Sequence, residues 1–77
     1  MDRRKRAEEQ LRSLTAREVA VLKLLARGCR NKEIANRLNF SVSTAKIHLR
    51  HVLEKLDVSG RAEAAAQAAE LGLVEAE

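Results

Sequence analysis

The 77-residue sequence predicts one small domain, and its alanine, leucine and charged residues, with a single aromatic residue, predict an all-α fold. One cysteine excludes an internal disulfide framework and indicates a reducing compartment, so we expect a cytoplasmic protein. No apolar run exceeds four residues, which excludes a membrane span and a secretory signal within this sequence.

The net charge of +4 is unevenly distributed along the chain. Residues 30–61 hold seven Lys or Arg against three Asp or Glu, whereas residues 62–77 hold four acids and no base. This asymmetry indicates that one face of the protein meets an anionic partner and that the C-terminal end does not.

Residues 1–12 are basic and hydrophilic, and they predict an N-terminal arm or linker ahead of a compact domain at residues 13–77. The first predicted helix begins after Thr15, because threonine is a favourable N-cap and Glu18 stands at the capping-box spacing. We expect Glu18 to have this structural role, or to pair with a nearby base, rather than to bind a ligand. Gly28 is the predicted left-handed stop of this helix.

The next two predicted helices form a helix-turn-helix. The first of them is capped by Asn31 and ends at Leu38, with Asn39 as a left-handed stop. The second, at about residues 42–56, is capped by Ser41. A short helix, a tight turn and a longer helix with a basic outer face are typical of proteins that place side chains in a DNA major groove. The sequence therefore predicts binding to double-stranded DNA.

The longer helix has an apolar and a basic face. Lys46, Ile47 and Arg50 project together, opposite an inner face formed by Ala45, Leu49, Val52 and Leu56. Arg50 can donate two hydrogen bonds to a guanine, and Lys46 can bind a guanine or a phosphate. For Ile47 we expect contact with a thymine methyl group, the alternative being partial burial against a neighbouring side chain. These three residues are the predicted base contacts.

Predicted contacts with the DNA backbone lie around the starts of the two helices and on one flank, where hydroxyl, amide and cationic groups can bind phosphate. They are Asn31, Lys32, Ser41, Ser43, Thr44, His51, Lys55 and Arg61. No cofactor is expected. His48, His51 and Cys29 could hold a metal only if they came together, but His48 falls near the core face and is interpreted as a packed side chain, so no metal is expected either.

The fourth predicted helix, residues 61–71, contains six alanines and follows Ser59 as its candidate cap. Gly72 and Leu73 match a Schellman stop. Such a helix can pack closely against an identical copy, which predicts a homodimer; the alternative is that it only covers its own core. The predicted dimer contacts are Ala62, Ala65, Ala66 and Ala69.

The motifs of these helices resemble a known family in order and spacing. They include Leu14-Thr-Ala-Arg-Glu18, Asn31-Lys-Glu-Ile-Ala35, Ser43-Thr-Ala-Lys-Ile-His48 and Lys55-Leu-Asp-Val58. Over about residues 13–74 the chain resembles the LuxR-type helix-turn-helix, the DNA-binding domain of quorum-sensing regulators and of many response regulators. The resemblance implies a compact four-helix domain. Its third helix would enter the major groove, its second would lie across the groove near the backbone, and its fourth would mediate dimerisation.

The sequence is therefore interpreted as a bacterial transcription regulator that binds specific DNA sequences, and not as an enzyme. RNA polymerase is a further candidate partner. Two alternatives stay open at this point. A sigma-factor promoter-recognition domain shares similar Leu-Thr-x-Arg-Glu and Glu-Ile-Ala patterns, and a helical protein-interaction module could dimerise without touching DNA.

Overall fold

The computed structural model describes residues 3–73, which form five helices and, within that range, no strand. The helices are α1 (Arg3–Arg12), α2 (Ala16–Ala26), α3 (Asn31–Leu38), α4 (Val42–Leu56) and α5 (Arg61–Glu70). The all-α class is confirmed, and the four predicted helices correspond to α2–α5. Residues 1 and 2 of the predicted arm and residues 74–77 of the predicted domain lie outside the described residues.

Helix α1 occupies most of the predicted N-terminal arm. Its residues are arginine, lysine, alanine, glutamate, glutamine and leucine, all of which are strong helix formers, so hydrophilicity alone was a poor guide to its conformation. Leu11 is partly buried against the core. The Oε1 of Gln10 accepts a hydrogen bond of 3.3 Å from Nε2 of Gln67. Helix α1 therefore packs against the domain, in contact with α4 and α5.

The start and the end of α2 are those expected. Thr15 Oγ1 accepts a hydrogen bond from the Glu18 amide at 3.1 Å, and the Thr15 amide donates to Glu18 Oε1 at 2.9 Å. At the other end, Gly28 has φ +88°, and the amide that follows it donates to the Leu24 carbonyl at 3.1 Å. The capping box and the left-handed glycine stop are both confirmed.

Two of the predicted caps are wrong by one residue. The N-cap of α3 is Arg30 and not Asn31. The Arg30 amide donates to the Glu33 carboxylate at 3.0 Å, which closes the first turn without a capping hydrogen bond to the Arg30 side chain. The N-cap of α5 is Gly60 and not Ser59, whose hydroxyl instead donates to the Glu63 carboxylate at 2.6 Å.

The core lies where α2 packs against α4 and α5, and α3 closes it by packing on α4. The buried apolar residues of these helices are Val21, Leu22, Leu25, Ile34, Ala35, Ala45, Leu49, Val52, Leu56, Ala64 and Ala68. All four inner residues predicted for α4 are among them. Ala35 and Ala45 are small, which allows α3 and α4 to approach closely. Since the inner face of α4 is fixed in this core, its opposite face must point to solvent.

Candidate nucleic-acid interface

The turn between α3 and α4 is held by backbone and side-chain hydrogen bonds. Asn39 has φ +58°, as predicted for the stop of α3. The Phe40 amide donates to the Ala35 carbonyl at 2.8 Å. Ser41 Oγ accepts the Thr44 amide at 3.1 Å and donates to Thr44 Oγ1 at 2.9 Å, so the predicted cap of α4 is confirmed. These bonds define the angle between the two helices of the helix-turn-helix.

Aromatic and cationic side chains stack at this turn. The rings of Phe40 and His48 are 4.9 Å apart between centroids, with 20° between their planes. The guanidinium carbon of Arg17 lies 5.0 Å from the Phe40 centroid. The stack links α2, the turn and α4. His48 is thus a packed, half-buried residue as expected, although its buried Nδ1 has no hydrogen-bond partner among the described atoms.

The outer face of α4 brings the three predicted base contacts together. Lys46, Ile47 and Arg50 are all exposed. Ile47 is 47% exposed, which leaves about half of its surface open to a partner. Arg50 Nε lies 3.8 Å from a carboxylate oxygen of Glu54, and both side chains are largely exposed to solvent. An exposed pair at this distance holds the guanidinium only loosely, so Arg50 is available to another partner.

The eight predicted backbone contacts differ in how available they are. Lys32, Ser43 and His51 are exposed, and their side chains have no hydrogen-bond or ion-pair partner within residues 3–73. Asn31 and Thr44 are half-buried, and Asn31 Oδ1 is buried without a partner there. Others are already bonded inside the protein: Ser41 with Thr44, Arg61 Nη2 with the Cys29 carbonyl at 2.8 Å, and Lys55 with Glu18 and the Ser13 carbonyl.

Glu18 and Lys55 form a short ion pair between α2 and α4. Lys55 Nζ lies 2.7 Å from Glu18 Oε1, and the Glu18 side chain is only 5% exposed. Burial raises the pKa of the Glu18 carboxyl, but the hydrogen bond from Lys55 and those from Thr15 outweigh it, so its net pKa lies below the ordinary value. The structural role expected for Glu18 is confirmed. Its partner Lys55, 37 residues away, was not identified from the sequence.

In the described part of the chain, no group of three His, Cys, Asp or Glu side chains could hold a metal ion. No helix among residues 3–73 has the length and apolar character needed to cross a membrane. The candidate interface is an outward-facing helix surface rather than a cavity, a geometry suited to contact with another macromolecule.

Comparison with known proteins decides the family. Residues 12–68, about three quarters of the chain, match the sequence profile described as "GerE: Bacterial regulatory proteins, luxR family". The chain belongs to the LuxR family. Membership confirms the resemblance seen in the sequence and decides against the sigma-factor alternative. LuxR-family domains serve DNA-binding transcription regulation and are not enzymes, so this chain is a regulatory domain.

Several LuxR-family relatives are response regulators. The chain is 47% identical over 58 residues to the nitrate/nitrite response regulator protein NarL of Escherichia coli K12, covering 75% of this chain and 27% of NarL. It is 48% identical over 56 residues to the transcriptional regulatory protein LiaR of Bacillus subtilis, covering 73% of this chain and 26% of LiaR. It is 35% identical over 74 residues to the response regulator protein VraR of Staphylococcus aureus. That alignment covers 96% of this chain and 35% of VraR. The chain thus spans about a quarter to a third of these regulators.

A solved structure of the transcription factor GerE supports the fold. It superposes with a TM-score of 0.70 at 35% sequence identity, covering 80% of this chain and 92% of the GerE chain. The structural likeness therefore extends over nearly the whole of the GerE chain.

Proposed function

We propose that this LuxR-family domain binds a specific duplex sequence by inserting the outer face of α4 into the major groove. The observation that carries the proposal is the exposure of Lys46, Ile47 and Arg50 on one face of a helix whose other face is buried. Arg50 would donate to O6 and N7 of a guanine, Ile47 would contact a thymine methyl group, and Lys46 would bind a guanine or a phosphate.

Phosphate binding would fix the orientation of α4. Lys32 near the start of α3, Ser43 in the first turn of α4, and His51 are exposed and unengaged within the described residues, so they are the first candidates. Thr44 and Asn31 would add hydrogen bonds at the same helix starts. Lys55 and Arg61 would contribute less, since each already has a partner inside the protein. The helix N-termini add free amide groups and a favourable dipole.

Salt dependence tests whether the domain binds DNA through phosphates. If each subunit of a dimer neutralises about four phosphates, a plot of log K against log salt should have a slope of roughly −7. Fluorescence anisotropy with a labelled random duplex, repeated at several salt concentrations, measures it. A slope near zero, or no binding at low salt, would favour the protein-interaction module instead. The specific site itself would come from selection of bound duplexes from a random pool.

We further propose that two copies associate through α5 on a two-fold-related DNA site. Ala64 and Ala68 face the core, which leaves a second alanine face on the same helix. Its members are Ala62, Ala66 and Ala69, which are exposed, and Ala65, which is half-buried. Such small side chains would let two α5 helices pack closely, in addition to the role of the helix in covering its own core.

Ala66→Glu should break this dimer without unfolding the domain. The new carboxylate would have to lose water inside the interface, so binding to a duplex with two half-sites should weaken by about tenfold or more. Binding to a single half-site should change much less. Ala16→Glu, the same substitution at an exposed alanine of α2, is the matched control. Sedimentation on both duplexes measures the stoichiometry, and equal effects of the two variants would rule out α5 as the interface.

Contact with RNA polymerase and a cytoplasmic location stay predictions.

A further inference from the structure

Helices α2 and α3 form a surface groove that has no part in the proposed DNA contacts. The groove has a volume of about 490 Å³. It is lined by Ala20, Lys23, Leu24 and Arg27 from α2 and by Arg37 and Leu38 from α3. None of these residues belongs to α4 or to the predicted phosphate contacts, so its occupant would be separate from the DNA proposed above.

The floor of the groove is apolar. Leu24 and Leu38 are partly buried, packing against the core on one side while leaving part of their surface in the groove. Ala20 is also half-buried beside them. Concave apolar surface of this kind is more stable when a partner covers it, and such surface is enriched at interaction sites.

The rim of the groove is cationic. Lys23, Arg27 and Arg37 are exposed, and none has an ion pair or side-chain hydrogen bond within the described residues. No acidic residue lines the groove. All three lie at the C-terminal ends of their helices, where a positive charge stabilises the helix dipole. The helix dipole explains why these three side chains are positively charged. It does not explain why they surround the accessible surface of Leu24 and Leu38.

We propose that this groove docks an acidic amphipathic segment of a partner protein. Two apolar side chains of the segment would cover Leu24 and Leu38, while its carboxylates would meet the cations on both sides. A DNA backbone fits less well, because its phosphates could neutralise the rim but would offer no apolar group to the floor. The observations therefore favour an acidic peptide over nucleic acid as the occupant.

The first test uses a labelled helical peptide with two leucines one turn apart and glutamates on both sides of them. Fluorescence anisotropy measures its binding to the whole chain, and amide chemical shifts locate it. We expect shifts centred on the ends of α2 and α3. Replacing both leucines by serine should weaken binding by about tenfold or more, because the floor would then be covered by polar groups. Equal binding of the serine peptide, or shifts centred on α4, would overturn the proposal.

Matched variants separate the groove from general charge attraction. Lys23→Gln with Arg37→Gln removes one rim charge from each wall. Lys5→Gln with Arg12→Gln removes the same charge from exposed positions on α1. We expect the rim variant to weaken peptide binding by about fivefold, since exposed ion pairs are individually weak, and the α1 variant to have little effect. Equal losses of peptide binding in the rim variant and the α1 variant would show that net charge, and not the groove, determines the binding.

A third variant tests the floor alone. Ala20→Met keeps every cation and should partly fill the groove, because methionine is an unbranched residue that helices accommodate well. It should weaken binding of the leucine peptide while leaving the thermal midpoint and duplex binding near those of the parent. Unchanged peptide binding would contradict the proposal. If the rim variant weakened duplex binding as much as peptide binding, the groove would be a phosphate surface instead.

Discussion

Arg50→Ala should weaken binding to the selected duplex by about 1–3 kcal/mol and relax the base preference at the position that Arg50 reads. The guanidinium lies on the exposed face of α4 and its nearest acidic group, on Glu54, is 3.8 Å away. Its planar fork can therefore turn towards a guanine edge, and alanine removes both hydrogen bonds at once. Titration of the selected duplex and of single-base variants of it measures the two effects separately.

Lys32→Ala is the matched control, because it also removes one exposed cation from the helix-turn-helix. A phosphate contact carries no base information, so this variant should weaken specific and random duplexes alike and reduce the salt slope by about one. Arg50→Lys should keep the charge but lose the paired hydrogen bonds, and with them most of the discrimination. If Arg50→Ala weakened all duplexes equally, Arg50 would be a phosphate contact. If neither alanine variant changed binding, the proposed docking of α4 would be wrong.

The helix-turn-helix and the helix before it could be predicted from sequence because their determinants are local. The box formed by Thr15 and Glu18, the left-handed Asn39 and the Ser41 cap each depend on residues within one turn of chain. The apolar spacing of α4 then determined which side would be buried. Local signals were less decisive where several residues can cap the same turn. The N-cap of α3 is Arg30 rather than Asn31, and its amide donates to the Glu33 carboxylate.

Contacts between distant segments could not be predicted in this way. Arg61 bonds to the Cys29 carbonyl across 32 residues, and Lys55 to Glu18 across 37, so no sequence spacing indicates either pair. As a result, two cations predicted to bind phosphate already have partners inside the domain. The groove between α2 and α3 could not be predicted from the sequence for the same reason, since its walls come from separate helices. The exposure of Lys46, Ile47 and Arg50 was easier to predict, because exposure on one face of a helix follows from the burial of its opposite face.

Lys55→Met should lower the free energy of unfolding by about 1–3 kcal/mol at neutral pH, because it leaves the Glu18 carboxylate buried without its cation. That is a large share of the roughly 5–10 kcal/mol available to a domain of this size. Methionine retains the apolar stem and the helix propensity, so the loss of stability measures the effect of removing the positive charge. Lys46→Met makes the same change at an exposed position of α4 and should cost less than about 0.5 kcal/mol. Urea unfolding followed by circular dichroism measures both.

The pH dependence of this loss identifies its cause. The folded-state pKa of Glu18 lies below the ordinary value of 4.5, so the stability it contributes is present above that value and is lost as the pH falls through the folded pKa. In Lys55→Met the cation no longer offsets the rise in pKa that burial causes, so the pKa of Glu18 should be higher than in the parent. The stability gap between the two proteins should therefore begin to shrink as the pH falls through the pKa of Glu18 in the variant. It should close once the pH lies below the folded pKa of Glu18 in the parent, where the carboxyl is neutral in both. A gap that stayed constant into acid would mean that lost packing, not the ion pair, accounts for it.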